Sequence, residues 1–313
     1  MATRKTNVKG NVKSSTGSTG STVKTAAKRA AKKTAVKAAA KPAARTAAKP
    51  AAKSAVRHGG GYILSIDVGG TGLKAAIIDT HGKMVTERLR VATPHPCTPD
   101  QLVDTLVKLV EPLIAEHAPS RISIGFPGFV RNNRVLTAPH FGDEGWHDIP
   151  LADSLAKRLG GLPVRMINDA EVQGFAAIEG HGIEFVLTLG TGAGTALFRD
   201  GELMPHLELA HHPVSKNRAY DEYIGDAARM QAGNKRWNHR VEKVIGILAS
   251  LVNYDKLWIG GGNAARLNFK LPANVAVVSN DAGIEGGAKL WHPRSLRDTR
   301  QLPEATQRTG IFE

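Results

Sequence analysis

Asp67-Val68-Gly69-Gly70-Thr71-Gly72-Leu73-Lys74, preceded by the apolar run Tyr62-Ile63-Leu64-Ser65-Ile66, decides how this chain is read. The run has the composition of a buried strand, the glycines form a tight turn, and Leu73 to Asp79 returns as a second apolar strand. The segment is therefore a hairpin at the edge of a larger sheet. Glycines let backbone N–H groups approach a phosphate without Cβ interference, and Asp67 can hold a magnesium ion through water. Any tight hairpin can use Gly-Gly, so this stretch alone fits a phosphate cradle and a plain turn equally well.

The same arrangement returns further along. Phe185 to Leu189 is a buried strand, Gly190-Thr191-Gly192-Ala193-Gly194-Thr195 a glycine turn, and Ala196-Leu197-Phe198 the next strand. Two such units in one chain predict two similar halves, each turning a backbone cradle toward a shared cleft. Between them, Gln101 to His117 places Leu102, Leu106, Leu109, Val110 and Leu113 at helical spacing, and Arg121 to Phe126 is a further strand ending at Pro127-Gly128. The loop from Ala138 to Trp146 mixes polar and aromatic groups, which suits a sugar with its hydroxyl rim and C–H face, or an ordinary surface loop with one anchoring Trp. Leu162 to Ile167 is a strand that delivers Asn168-Asp169-Ala170 to the start of a helix running through Ala177. Asn168 can cap that helix; Asp169 either shares the cap or, turned toward a cleft, takes the proton of an alcohol attacking phosphorus.

Composition divides the chain. Of 313 residues, the first 58 carry 15 Lys/Arg and no Asp or Glu, leaving 27 basic against 28 acidic side chains in the rest. The net charge of +14 therefore belongs to a tail. Ala-Ala-Lys recurs there at Ala26, Ala30, Ala47 and Ala51, interrupted by Pro42 and Pro50. Its lysines repel one another and have no acid four residues away, so the free segment is expected to be disordered. It resembles linker-histone tails and bacterial histone-like tails, and fits either a polyanion-binding arm for nucleic acid or polyphosphate, or a solubilising extension. It is basic and acid-free like an organelle transit peptide, but lacks the apolar face. The near-neutral remainder is long enough to bury about three quarters of its unfolded surface, which excludes a metal- or disulfide-stapled scaffold. One cysteine, Cys97, allows no internal disulfide and no cysteine zinc site. No run reaches the roughly 18 apolar residues of a membrane helix, so no membrane partner and a cytoplasmic protein are expected.

Together these motifs resemble the actin-like sugar kinases, and within them the ROK family of repressors, open reading frames and kinases. The similarity runs from about Tyr62 to Trp291. Asp67 to Lys74 matches the first phosphate motif, Leu189 to Gly194 the second, and Asn168-Asp169-Ala170 the segment bearing the catalytic aspartate. Ile259-Gly260-Gly261-Gly262-Asn263 resembles the glycine element that meets the phosphoryl donor, and Glu208-Leu209-Ala210-His211 the sugar-binding segment. The resemblance implies an α/β, two-lobed actin-like ATPase (ribonuclease H-like) fold: a tail over 1–58, lobes over 59–165 and 166–293, and an extension over 294–313. It implies Asp169 as catalytic base and Asn168, Glu208, His211 and His140 as sugar contacts. Asp67, Gly69, Gly70, Thr71, Lys74, Gly190, Thr191, Gly192, Gly194, Gly261 and Gly262 would meet the donor, with Asp67 holding magnesium through water. Two departures stand out. No cysteine follows His211-His212-Pro213-Val214, so zinc is not implied, and His206, His211 and His212 read as sugar, packing or surface groups rather than a metal cluster. Ala210 replaces the usual Gly, which bears on sugar affinity through His211.

Zinc-free members with Tyr220-Asp221-Glu222-Tyr223-Ile224-Gly225 followed by Lys235-Arg236-Trp237-Asn238 resemble the polyphosphate glucokinases. That implies phosphoryl transfer from polyphosphate or ATP to glucose, and a homodimer. The helix there places Trp237, Val241, Val244, Ile245, Leu248 and Leu251 on one face and Arg236, Arg240 and Lys243 on the other, a face that could track a polyanion or simply be solvated. The alternative is a catalytically weak, sugar-responsive DNA- or polyanion-binding protein, although the tail lacks the apolar pattern of a helix-turn-helix. Removing residues 1–58 should weaken retention on immobilised polyphosphate or DNA, with the difference shrinking as salt rises. Equal retention of both forms across a salt series would show the tail to be inert.

Overall fold

The computed structural model describes residues 61–142, 145–279 and 281–292. The tail and the extension predicted over 294–313 lie outside them. In chain order the first part comprises β1 (Ile63–Val68), β2 (Gly72–Ile78), β3 (Leu89–Ala92), α1 (Pro99–His117), β4 (Arg121–Phe126), the small hairpin β5 (Val130–Arg131) and β6 (Arg134–Val135), α2 (Leu151–Arg158), β7 (Val164–Asn168) and α3 (Asp169–Ala177). The second comprises β8 (Ile183–Leu189), β9 (Ala193–Arg199), β10 (Glu202–Leu203), the hairpin β11 (Pro213–Ser215) and β12 (Arg218–Ala219), α4 (Tyr220–Ile224), α5 (Asp226–Ala232), α6 (Asn234–Val252), β13 (Lys256–Gly260), β14 (Val275–Val277), α7 (Ala282–Glu285) and a 3-10 helix over Gly286–Trp291.

The two sheets repeat one topology. The first is ordered β3-β2-β1-β4-β7 and the second β10-β9-β8-β13-β14. In each, two antiparallel pairings lead to a central strand that pairs parallel with the fourth, which in turn pairs parallel with the fifth. This is the actin-like, ribonuclease H-like α/β fold expected from the duplicated glycine hairpins. Both central strands are buried along almost their whole length, as a strand covered on both faces must be.

Helices cover the outer faces. α1 starts at Thr98, whose hydroxyl accepts from the Gln101 N–H while the Gln101 side chain accepts from the Thr98 N–H, and it buries Leu102, Leu106, Leu109, Val110 and Leu113 against the first sheet. α6 buries Trp237, Val241, Val244, Ile245 and Leu248 on the second. Two expectations for α6 are overturned. Arg240 is buried, its guanidinium donating to the Tyr223 carbonyl at 3.3 Å and lying over the Tyr223 ring, so it does not share a solvent face with Arg236 and Lys243. Leu251 is exposed, while Leu248 and Val252 of the same last turn pack on the core. No helix of the described residues is long and apolar enough to cross a membrane.

The inner faces are covered by exchange. α3 leaves the first sheet, yet its Val172 and Phe175 pack with Val186, Ala196 and Phe198 of the second. α7 and the 3-10 helix follow the second sheet, yet Ile284 of the one and Ala288 of the other pack on Ile63, Ala76 and Ile78 of the first. This return is close. The Ser65 hydroxyl donates to the Ile284 carbonyl at 2.7 Å and the Ser123 hydroxyl to the Gly287 carbonyl at 2.6 Å. A Cβ on Gly287 would run into Ser65 and lie 3.0 Å from the Ser123 Cβ. Gly287→Ala should therefore destabilise by about 1–3 kcal/mol, measured by urea unfolding. An unchanged midpoint and slope would mean that the close approach is not needed.

Candidate active site

The first glycine turn is held from behind. The Gly69 N–H donates to the Gly72 carbonyl at 3.0 Å. The Thr93 hydroxyl donates to the Gly69 carbonyl at 2.6 Å, and His95 Nε2 lies 2.5 Å from the Gly70 carbonyl. Both come from the chain just after β3, and no local signature marks them in the sequence. Asp67 is not in the turn but near the end of β1, opposite Lys74 of β2, and the two pair at 2.6 Å. The ammonium thus neutralises a carboxylate that the sheet would otherwise leave buried and unpaired.

The second turn is anchored differently. The Gly190 N–H donates to the Gly192 carbonyl at 3.0 Å, and the Ala193 N–H to the Asp221 carboxylate at 2.6 Å. The loop after β13 closes on the same turn through the Asn263 N–H and the Leu189 carbonyl, 2.9 Å apart. Gly261, at φ 84°, supplies the left-handed bend this needs.

The two turns converge. A Cβ on Gly70 would lie 3.5 Å from the Thr191 hydroxyl, and one on Gly194 would lie 3.7 Å from the Asp169 carboxylate. Between them opens a cavity of about 630 Å³, lined by both turns and by Asp169, Glu208, His211, His140 and the Gly261-Gly262 bend. The residues that the resemblance assigns to catalysis, sugar and donor therefore all line one cavity. Asn168 lines it too, but its amide is committed to the helix start: its oxygen accepts from the Ala170 N–H at 2.9 Å and its nitrogen donates to the Gly128 carbonyl at 3.0 Å.

Other cavity residues escaped the sequence reading. Asp221 enters from α4, with His140 Nε2 3.6 Å from its second oxygen. Arg88, Arg90, Arg229 and Arg266 join Lys74 in the lining. The aromatic loop divides. His140 reaches the cavity, whereas Trp146 is buried, its ring 5.0 Å from Phe141 and 5.4 Å from Phe126, with the indole N–H donating to the Cys97 carbonyl at 2.8 Å. Trp146 is the anchor of that loop and not a sugar platform. The three neighbouring histidines do not converge: His206 turns inward, His211 faces the cavity and His212 meets the Pro213 carbonyl. Ala210 is accommodated, its N–H donating to Glu208 at 3.1 Å and its carbonyl accepting from the Asp221 N–H at 3.0 Å.

Crowded carboxylates shape the electrostatics. Burial, reinforced by the charge of Asp67, pushes Asp169 up to about 7, against the pull of the Ala170 N–H. Burial also pushes Asp221 upward, opposed by the Ala193 N–H and by His140 and His211. For Glu208 burial is outweighed by hydrogen bonds from His206 and the Ala210 N–H, which hold it below the ordinary range. The site thus keeps one carboxyl near neutrality and another firmly ionised, the separation an acid–base site uses.

Two sheets of one order, each turning a glycine hairpin toward a shared cavity of mixed charge, give the chain the architecture of the actin-like sugar kinases. The chain belongs to the ROK family, whose model matches residues 63–211. It is 31% identical over 251 residues to the polyphosphate glucokinase of Mycobacterium tuberculosis, covering 74% of this chain and 90% of that one. It is 37% identical over 145 residues to the N-acetylmannosamine kinase of Escherichia coli, covering 45% and 48%. Among solved structures, the inorganic polyphosphate/ATP-glucomannokinase from Arthrobacter sp. strain KM superposes with a TM-score of 0.67 at 30% identity, covering 73% of this chain and 97% of that one.

A carboxyl titration followed by NMR should place the Asp169 midpoint at about 7 and move it lower in Asp67→Asn, which removes the neighbouring charge. Between the ordinary carboxylate range and that midpoint the folded state holds a proton that the unfolded chain has lost. The group's contribution to stability therefore declines as pH rises through that window. A midpoint unmoved by Asp67→Asn would refute the electrostatic part of this account.

Proposed function

We propose that the protein transfers a phosphoryl group from inorganic polyphosphate, or from ATP, to the 6-hydroxyl of glucose, giving glucose 6-phosphate. The observation that carries the reading is the approach of Gly70 to Thr191 with the Asp169 carboxylate beside Gly194, which sets a general base between two backbone cradles. Glu208, His211 and His140 hold the sugar, joined by Asp221, while Asn168 fixes the helix start that presents Asp169. The sugar hydroxyl gives its proton to Asp169 as its oxygen bonds to phosphorus, and the bond to the donor's bridging oxygen breaks, leaving polyphosphate one unit shorter or ADP. A carboxyl that titrates at about 7 is suited to taking that proton near neutrality. Orientation and electrostatic stabilisation dominate such chemistry because charge gathers on the phosphoryl oxygens.

Gly69, Gly70, Thr71, Gly190, Thr191, Gly192 and Gly194 present the donor cradle, and Lys74, Gly261 and Gly262 complete it. Asp67 beside Asp169 forms an acidic pair compatible with a hydrated magnesium ion, which when bound would neutralise donor charge. The lining supports an inorganic donor. Its cations are Lys74 and four arginines, and among the described residues its apolar members are only Pro127, Pro139, Ala193 and Ala210, with no aromatic or large aliphatic side chain for a nucleotide base. The lobes over 59–165 and 166–293 would close over the substrates and exclude water, a competing acceptor, while residues 1–58 would serve as a polyanion-binding arm. No feature of the cavity favours the reading as a DNA-binding protein without catalysis.

A coupled assay for glucose 6-phosphate, run with polyphosphate and with ATP in parallel, tests the reading. Asp169→Asn should lower turnover by roughly 10²–10⁴-fold with the fold retained. Near-normal turnover by that variant would remove Asp169 from the mechanism, and no hexose phosphorylation by the wild type with either donor would remove the function.

A further inference from the structure

His206 contacts neither the glycine turns nor the cavity, yet it is built into the acidic centre. Its side chain is only 8% exposed. Nδ1 lies 2.9 Å from Glu171 Oε1 and Nε2 lies 3.4 Å from Glu208 Oε2. Phe129 stacks on its face, with ring centres 5.2 Å apart and planes 20° from parallel. A neutral imidazole has one N–H and would set a lone pair against one of the two carboxylates; the imidazolium donates to both. Burial alone would favour the neutral ring, but the bonds to Glu171 and Glu208 outweigh it and raise the group to about 9, so the ring is charged through the neutral range.

Both partners have second duties. The other oxygen of Glu171 accepts from the Asn168 N–H at 3.0 Å, closing the start of α3, the helix whose first residue is Asp169. The other oxygen of Glu208 accepts from the Ala210 N–H at 3.1 Å. A carboxylate has about four lone-pair directions. Each Glu208 oxygen is thus fixed by one internal donor, and the remaining directions stay open to hydroxyl donors in the cavity.

We propose that His206 is a positioning residue: clamped between Glu171 and Glu208, its ring fixes the Glu208 carboxylate in the pose that receives the sugar and ties that pose to the helix start carrying Asp169. The inference rests on the reading of Glu208 as a sugar contact. Without the ring, Glu208 would have to be ordered by the sugar itself, and that ordering would be charged against affinity while the chemical step at Asp169 proceeded as before.

The test compares full-length wild type, His206→Phe, His206→Gln, Glu208→Gln and the His206→Phe/Glu208→Gln double variant, in glucose phosphorylation at saturating polyphosphate. His206→Phe keeps the stack on Phe129 and removes both donors. Its glucose KM should rise about 10- to 100-fold, the range for losing a hydrogen bond to a charged group, with kcat changed less than about threefold. His206→Gln, with one amide donor, should recover part of the loss. In the double variant the loss of His206 should add nothing to Glu208→Gln, because the ring acts through that carboxylate. Additive effects, or an unchanged KM in folded variants, would overturn the proposal. If His206→Phe fails to fold, as judged by its melting transition, the same cycle is run with His206→Gln. Wild type that phosphorylates no hexose would instead sink the functional reading beneath it, and this inference with it.

Discussion

Everything in the site follows from keeping a carboxylate out of bulk water beside other carboxylates. Asp67, Asp169, Glu171, Glu208 and Asp221 all approach one cavity or its wall, and such charges are tolerated only where cations and N–H groups meet them. Lys74 meets Asp67, the Ala193 N–H meets Asp221, and His206 meets both Glu171 and Glu208. Among the described residues no cationic side chain pairs with Asp169, whose carboxylate accepts from the Ala170 N–H at 2.9 Å. Burial pushes it up to about 7, and pushes Asp221 upward as well. Burial and the neighbouring Asp67 charge thus raise Asp169, while the hydrogen bond from His206 helps hold Glu208 low against its burial.

Glycine makes the second constraint visible. A Cβ on Gly70 would reach van der Waals distance of Thr191 in the facing turn, and at Gly192 an added Cβ would lie 2.6 Å from the Asp221 carboxylate. Side chains at these places would fill the space between the two turns. The cations lining the cavity come from β2, β3 and the residue before it, α5 and the segment after β13, so positive charge reaches it from both halves.

Much of this was legible in the sequence because it is local. The glycine turns, the strand-to-helix junction at Asn168-Asp169 and the pair Glu208 and His211 each declare themselves within a few residues, and their order pointed to the fold. Thr93 and His95 act on carbonyls 24 and 25 residues away, and nothing in their own neighbourhood marks that role. Asp221 lies on a helix of five residues, too short for a periodic pattern. Arg240 misled because helical spacing places it near the boundary of the apolar face, and the Tyr223 ring and carbonyl draw its long side chain inward. Trp146 was readable in two ways, and the packing of Phe126 and Phe141 decided for the core. His206, His211 and His212 stand close in sequence but face different partners, which adjacency cannot convey.

The exchange of inner-face helices bears on how the chain is made. Until residues near 284–287 have left the ribosome, that face of the first sheet is covered only in part, by Val172 of α3 over Gly125, and the hydroxyls of Ser65 and Ser123 lack the carbonyls that accept from them. A chain synthesised from the N-terminus can therefore complete that face only once nearly the last described turn of the protein is available. Chains stopped early would expose that apolar surface, and quality control would have a clear mark by which to recognise them.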